Sequence, residues 1–180
     1  MPERAPVRIV VPDRDLVPDT AALSSALLER RGLQSTIVVF ERSTTTPNVA
    51  RLRGAERIIA LGRTAFDALE AGSQAPNRNV RVGLLDPTFS PGAYEDIPGF
   101  INTPPSTDRW RLAIRRGMEV FALLPEDDGM MTFEGGALFG RRAKSSLTEH
   151  RSNEQLRRGL NNPEVVDRLV EFIANESPAV

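Results

Sequence analysis

Gly62, Arg63 and Thr64 form the stretch of this chain best suited to bind an anion. An arginine guanidinium pairs with a carboxylate or a phosphate, and a threonine hydroxyl adds a further hydrogen-bond donor. An apolar run at residues 58–61 precedes the triplet, and a helical apolar pattern at residues 65–69 follows it. The triplet therefore marks the end of a strand and the start of a helix, where unpaired N–H groups and the positive end of the helix dipole favour an anion.

A plainer interpretation of the triplet competes with this one. Thr64 then serves only as the N-cap of the helix, and Arg63 is a solvated surface residue. The chain contains neither G-x-x-x-x-G-K-[ST] nor G-x-G-x-x-G, so no nucleotide fingerprint supports the sharper version.

Two aspartates follow predicted strands and offer a second kind of chemistry. Asp13 follows the first strand, Asp86 follows the fourth, and Thr88 stands two residues further on. If these strands are neighbours, the carboxylates converge and can bind an ammonium, a ribose or Mg²⁺, or act as acid and base. An aspartate in a turn also commonly bonds its own backbone.

Residue counts limit the remaining chemistry. The chain has no cysteine, which excludes disulfides and thiolate catalysis, and its single histidine, His150, excludes a multi-histidine zinc site within one chain. No metal ligand set and no cofactor are assigned.

The elements that position these residues form a β–α alternation. Four short apolar runs predict strands at Val7–Val11, 35–40, Arg57–Leu61 and 80–85. Helical patterns between them predict a single three-layer α/β domain, Rossmann-like or flavodoxin-like, with a mainly parallel sheet. Ligands bind such sheets at the carboxyl ends of the strands, which is where the residues named above would lie.

The helices and the later part of the chain are predicted as follows. Helices are expected at Ala21–Arg31 with Gly32 behind it, at 64–71, from 106 to about 123, and at 163–175. A short fifth strand is expected at 100–103 and a hairpin with a Gly-Gly turn at 130–139. We divide the chain into a Rossmann-like unit, 1–125, and a hairpin with a helical extension, 126–180. The last helix should bury Val166, Leu169, Val170 and Phe172 against the domain or a second subunit.

Residues 141–158 form a basic and polar tract, predicted to be exposed. Its cations outnumber its acids and are Arg141, Arg142, Lys144, Arg151, Arg157 and Arg158. Such a strip is either a solvated face or a contact for nucleic acid or an acidic partner. The formal net charge of the whole chain is −1, which gives no general attraction to nucleic acid or membrane. The first apolar run is too short for a signal peptide or a membrane span, and we expect a cytoplasmic protein.

A family resemblance rests on LGRTAFDAL at 61–69 and LLDPTFSPGAYEDIPGFINTPPSTDRWRLAIR at 84–115. These motifs resemble the first lobe of the substrate-binding proteins of ABC transporters, over about residues 57–116. The resemblance implies a small organic ligand held between two Rossmann-like lobes, in part by loops matching 62–64 and 86–88. A Leu-Gly pair before such a helix also occurs in uracil-DNA glycosylases, but this chain lacks their His-Pro-Ser motif.

The sequence thus predicts a domain that binds a small anionic or nucleotide-like molecule at the strand ends, as a homo-oligomer. Its expected ligand-binding residues are Gly62, Arg63, Thr64, Asp13, Asp86 and Thr88. One alternative is a transferase or hydrolase acting on a nucleotide or sugar-phosphate, with Asp13 or Asp86 as base or metal ligand. The other is a structural or assembly protein that docks through its arginine-rich C-terminal third.

Overall fold

Six strands form one sheet in the computed structural model of this chain, in the order β2-β1-β3-β4-β5-β6. They are β1 (Val7–Val11), β2 (Ser35–Val39), β3 (Arg57–Leu61), β4 (Arg81–Leu85), β5 (Glu119–Glu126) and β6 (Gly129–Glu134). The first five strands are parallel to one another, and β6 runs antiparallel to β5. The prediction that the first four strands are parallel members of one sheet is confirmed.

The structure describes residues 4–42, 45–75, 79–89, 106–126, 129–139, 147 and 149–175. The helices are α1 (Ala21–Arg31), α2 (Thr45–Arg51), α3 (Thr64–Gln74), α4 (Ser106–Arg115), α5 (Asn153–Leu160) and α6 (Pro163–Ala174). The described residues also include two 3₁₀ segments, Arg14–Thr20 and Gly135–Phe139. None of the helices in these ranges is long and apolar enough to cross a membrane.

The sheet has an apolar core on each of its two faces. Side chains of neighbouring residues in a strand point to opposite faces, so Val10 packs with α2, α3 and α4, while Ile9 packs with α1, α5 and α6. This double burial explains why the strands read as continuous apolar runs. The chain is therefore an α/β protein with a mixed, mostly parallel sheet, consistent with a Rossmann-like or flavodoxin-like domain.

The last helix, α6, packs on α1 and on the middle strands of the same domain. Val166, Leu169 and Val170 are buried there, as predicted. Phe172 is only partly buried and stacks on Phe121 with ring centroids 5.2 Å apart. Residues 163–175 were predicted to cover the domain or a partner, and they cover the domain.

The predicted helix from 106 to about 123 is wrong in its second half. Helix α4 ends at Arg115, Gly117 turns the chain with φ of 120°, and β5 follows. Phe121, which falls within the predicted helix, lies on β5. Because β5 is buried on both faces, its unbroken apolar run gave no period-2 signal to set against the helical one.

One further expectation about the later chain is also wrong. The hairpin turns between Glu126 and Gly129, and the Gly135-Gly136 pair lies instead in the 3₁₀ segment that follows β6. The tract 141–158, predicted to be exposed, overlaps helix α5, and among its described residues only Leu147 and Leu156 are buried. The strand expected at 100–103 lies outside the described residues, and the division at 125/126 stays a prediction.

Candidate ligand site at the carboxyl ends of the strands

Strands β1, β3 and β4 are neighbours, so their carboxyl ends meet at one edge of the sheet. This edge carries Asp13 behind β1, Gly62 behind β3, and Asp86 with Thr88 behind β4. The topology thus brings the predicted site loops together. Each predicted residue, however, is held by contacts within the chain.

Gly62 adopts a left-handed backbone conformation, with φ of 56°. Its N–H donates to the carbonyl of Leu85 at 3.0 Å, and its carbonyl accepts from the N–H of Thr88 at 3.1 Å. A Cβ at this position would lie 3.1 Å from Cδ1 of Leu156 on α5. An apolar side chain therefore lies against the glycine for which we predicted an anion.

Thr64 is fully buried and does not cap α3. Its hydroxyl accepts from the N–H of Leu61 at 3.0 Å and donates to the carbonyl of Leu61 at 2.7 Å, and the carbonyl of Val10 lies 3.3 Å away. The residue in the N-cap position is Arg63, which makes no side-chain capping bond. Thr64 thus fixes the end of β3 beside β1, a role that neither sequence interpretation contained.

The Arg63 guanidinium joins the ends of two other strands. Its Nη2 atom donates to the carbonyl of Pro12 at 2.8 Å and to the carbonyl of Phe40 at 2.6 Å. These two carbonyls end β1 and β2. The side chain is half-buried, so it is not the solvated arginine of the plainer interpretation.

Asp13 is engaged through both carboxylate oxygens. Oδ1 accepts from the N–H of Asp15 at 2.9 Å, and Oδ2 accepts from the amide of Asn153 at 2.7 Å. The Asp15 hydrogen bond, followed by that of Asn153, holds the pKa of Asp13 below its usual range. The turn role considered for this aspartate is therefore present.

Asp86 is 4% exposed and adopts φ of 49°, the only positive φ among the described residues other than glycine. Its N–H donates to the carbonyl of Leu123 at 2.7 Å, which ties the residue to β5. Oδ1 lies 2.9 Å from Nε of Arg151, whose side chain is 14% exposed. Two buried opposite charges thus neutralise each other at the end of β4.

Residues 149–153, here called the strap, supply a partner to three of the predicted site residues. Thr88 donates its hydroxyl to the carbonyl of Glu149 at 3.0 Å, Arg151 pairs with Asp86, and Asn153 bonds Asp13. On either side of the strap stand Leu147, packed in the core on the α3 face, and Leu156, packed in the core on the α6 face. The strap therefore crosses the carboxyl edge of the sheet from one face to the other.

Sequence reasoning missed the strap and α5, although two signals were present. Ser152 and Gln155 form a capping box, in which each side chain bonds the other residue's N–H, at 3.2 and 2.8 Å. Leu156 and Leu160 stand one helical turn apart and are both buried. The surrounding arginines concealed this short amphipathic pattern.

A pocket of about 480 Å³ opens at the carboxyl end of β2, on the other side of β1. We call it the arginine pocket. It is lined by Arg14, Ile37, Val39, Phe40, Glu41, Arg42, Asn48 and Arg51. Three arginines and a single acidic residue thus line this pocket.

Local contacts set the positions of these side chains. Arg51 lies over the Phe40 ring at 5.1 Å from its centroid and donates to the carbonyl of Val39 at 3.1 Å. Arg14 lies 3.5 Å from Glu41, but both side chains are mostly exposed, so water screens this pair. Asn48 is buried and donates to the carbonyl of Arg42 at 3.0 Å, which fixes the loop that carries that arginine.

Among the described side chains, no three of the types His, Cys, Asp and Glu lie close enough to share a metal ion. Comparisons with protein-family models, with curated proteins and with solved structures found no match to this chain.

Proposed function

We propose that this chain is a ligand-binding α/β domain that recognises a small anionic or nucleotide-like molecule in the arginine pocket. The observation that carries the proposal is that Arg14, Arg42 and Arg51 line one pocket at the carboxyl edge of a parallel sheet. Ligands of doubly wound folds bind outside this edge. The pocket volume lies within the range of about 300–1,000 Å³ usual for small-molecule sites.

The charges of the pocket favour an anion with several oxygens. Guanidinium groups bind phosphate and carboxylate oxygens through two parallel N–H donors, and three of them can surround one phosphate from different sides. Glu41 offsets one of the three positive charges at most, since its pair with Arg14 is exposed. The apolar wall made by Ile37 and Val39 suits a ligand with a less polar part beside its anionic group.

Arg63 contacts the backbone of a residue that lines the same pocket. It bonds the carbonyl of Phe40, a lining residue, and the carbonyl of Pro12, which precedes the segment carrying Arg14. We therefore propose that Arg63 orients the pocket walls. Direct ligand contact by Gly62, Arg63, Thr64, Asp13, Asp86 and Thr88 stays a prediction.

The experiment is an isothermal titration of the protein with inorganic phosphate and with pyrophosphate. We expect saturable binding that weakens roughly ten- to a hundredfold in Arg42→Ala and in Arg51→Ala, because one charge-assisted hydrogen bond contributes about 1.5–3 kcal/mol. Arg63→Ala should weaken binding by a smaller factor, because it removes a bond to the carbonyl of Phe40 behind the pocket and not a bond to the ligand. Arg53→Ala, an exposed arginine that does not line the pocket, is the matched control. Equal loss in the control, or no saturable binding, would contradict the proposal.

The two other functions weighed from the sequence remain open to test. For a transferase or hydrolase, Asp86→Asn should abolish turnover while binding persists. For an assembly role, the arginine-rich third must reach a partner, yet Arg151 and Arg157 already pair with Asp86 and Asp19 of the same chain. Homo-oligomer formation stays a prediction, which sedimentation of the full chain will test.

A further inference from the structure

We infer that Asp86 forms a binding site for a guanidinium group, which Arg151 of the chain itself occupies, and that the strap opens to admit an external ligand with a guanidinium or amidinium group. This inference does not rest on the arginine pocket, which carries the opposite charge. It concerns the β4 end of the same edge.

The sheet, and not the strap, positions the acidic partner. The backbone of Asp86 is held by its own N–H bond to the carbonyl of Leu123 in β5, a contact that does not involve the strap. With Arg151 in place the residue is 4% exposed, and low exposure strengthens the attraction of the carboxylate for a cation. The acid therefore stays at the end of β4 when the strap moves.

The guanidinium of Arg151 lies close to two carboxylates. Nε of Arg151 lies 2.9 Å from the Asp86 carboxylate, and Nη1 lies 3.4 Å from the carboxylate of Glu149. The guanidinium thus stands between a buried and an exposed acid. A planar cation with several N–H donors meets both, which an ammonium point charge does less well.

Polar contacts hold the strap in place. Glu149, His150 and Ser152 are exposed, and the contacts that hold the strap to the edge are the Thr88 bond, the Arg151 pair and the Asn153 bond. The apolar anchoring lies outside it, at Leu147 and Leu156. Local opening of the strap exchanges these polar contacts for water, and segments held by few apolar contacts open more readily than the core.

The first experiment removes the occupant and supplies a replacement. Arg151→Ala is titrated with methylguanidinium while the melting temperature is followed. We expect a lowered melting temperature and a saturable recovery on adding the cation. The recovery should be absent in Arg158→Ala, an exposed arginine of α5, and in the double variant Arg151→Ala/Asp86→Asn. If Arg151→Ala does not fold, Arg151→Gln is titrated in the same way.

The second experiment uses the unaltered chain. Hydrogen exchange is measured over residues 147–160 with methylguanidinium chloride and with tetramethylammonium chloride at the same concentration. We expect faster exchange in residues 149–152 with methylguanidinium only, and unchanged exchange in residues 154–160 of α5. Recovery that persists in the double variant overturns the site, and equal exchange with both salts overturns the opening of the strap.

Discussion

Both halves of the sheet's carboxyl edge consist of the ends of parallel strands, but different parts of the chain surround them. At the β3–β4 half, the strap and α5 meet the strand ends, and Gly62, Asp86 and Thr88 each contact a residue of that segment. At the β1–β2 half, a pocket of about 480 Å³ stands open beside Arg42 and Arg51. A parallel sheet directs polar groups to one edge, but the rest of the chain decides which of them meet solvent.

The packing of α5 on the β3 end is tested first at Leu156, which is 1% exposed and lies against Gly62. Leu156→Ala should lower the free energy of unfolding by about 2–5 kcal/mol, because it leaves a cavity in the core. Urea unfolding measures the change. Leu28→Ala, at a leucine that is 54% exposed on α1, is the control and should stay within about 0.5 kcal/mol of the parent. Equal effects would mean that α5 does not pack on this edge.

A smaller effect is expected at Gly62. Gly62→Ala forces a side chain into a left-handed conformation, at a cost of roughly 1–2 kcal/mol, and places its Cβ against Leu156. Gly54→Ala is the matched control, because Gly54 has φ of 82° and nothing lies within 4 Å of its Cβ position. Thermal unfolding of the two variants should show the larger loss at Gly62. A larger loss of stability at Gly54 would contradict the close packing of Leu156 against Gly62 at the end of β3.

The smallest effect on stability is expected for substitution of Asp13, and only at acidic pH. Its folded-state pKa is lowered from 3.8, so its contribution to stability is present above that value and is lost as the pH falls through the folded pKa. Asp13→Asn should therefore flatten the fall in melting temperature below about pH 4. Asn153→Ala removes one of the two hydrogen bonds and should lie between the parent and Asp13→Asn. If the melting temperature of both variants falls with pH as it does in the parent, the Asn153–Asp13 hydrogen bond does not hold the strap.

Much of the fold was predictable because its first half follows local rules. The bounds predicted for β1, β3 and α1 agree with the structure, since each element has an apolar pattern and is followed directly by a proline or a glycine. Strand β5 was not predictable in the same way, because burial on both faces removed its period. The Gly-Gly pair misled us because glycine marks many turns, and here it lies in a 3₁₀ segment.

The site was less predictable, because its contacts join residues far apart in the sequence. Sequence rules place Asp13 and Asp86 at one edge, and the topology agrees. They give no sign that Asn153 and Arg151 will bond them, since nothing local links residues 140 positions apart. The role of Thr64 was missed for a related reason, because its hydroxyl bonds the strand before it instead of the helix after it.

The late position of α5 and α6 in the chain has a consequence for how the protein folds. Leu85, Phe121 and Leu123 share a core with these two helices, which are synthesised after every strand. Bringing Asn153 to Asp13 closes a loop spanning 140 positions, and contacts of such high sequence separation slow folding. A nascent chain that has reached β6 therefore carries an apolar sheet face without its cover. Apolar surface exposed in this way during synthesis favours aggregation until the two helices cover it.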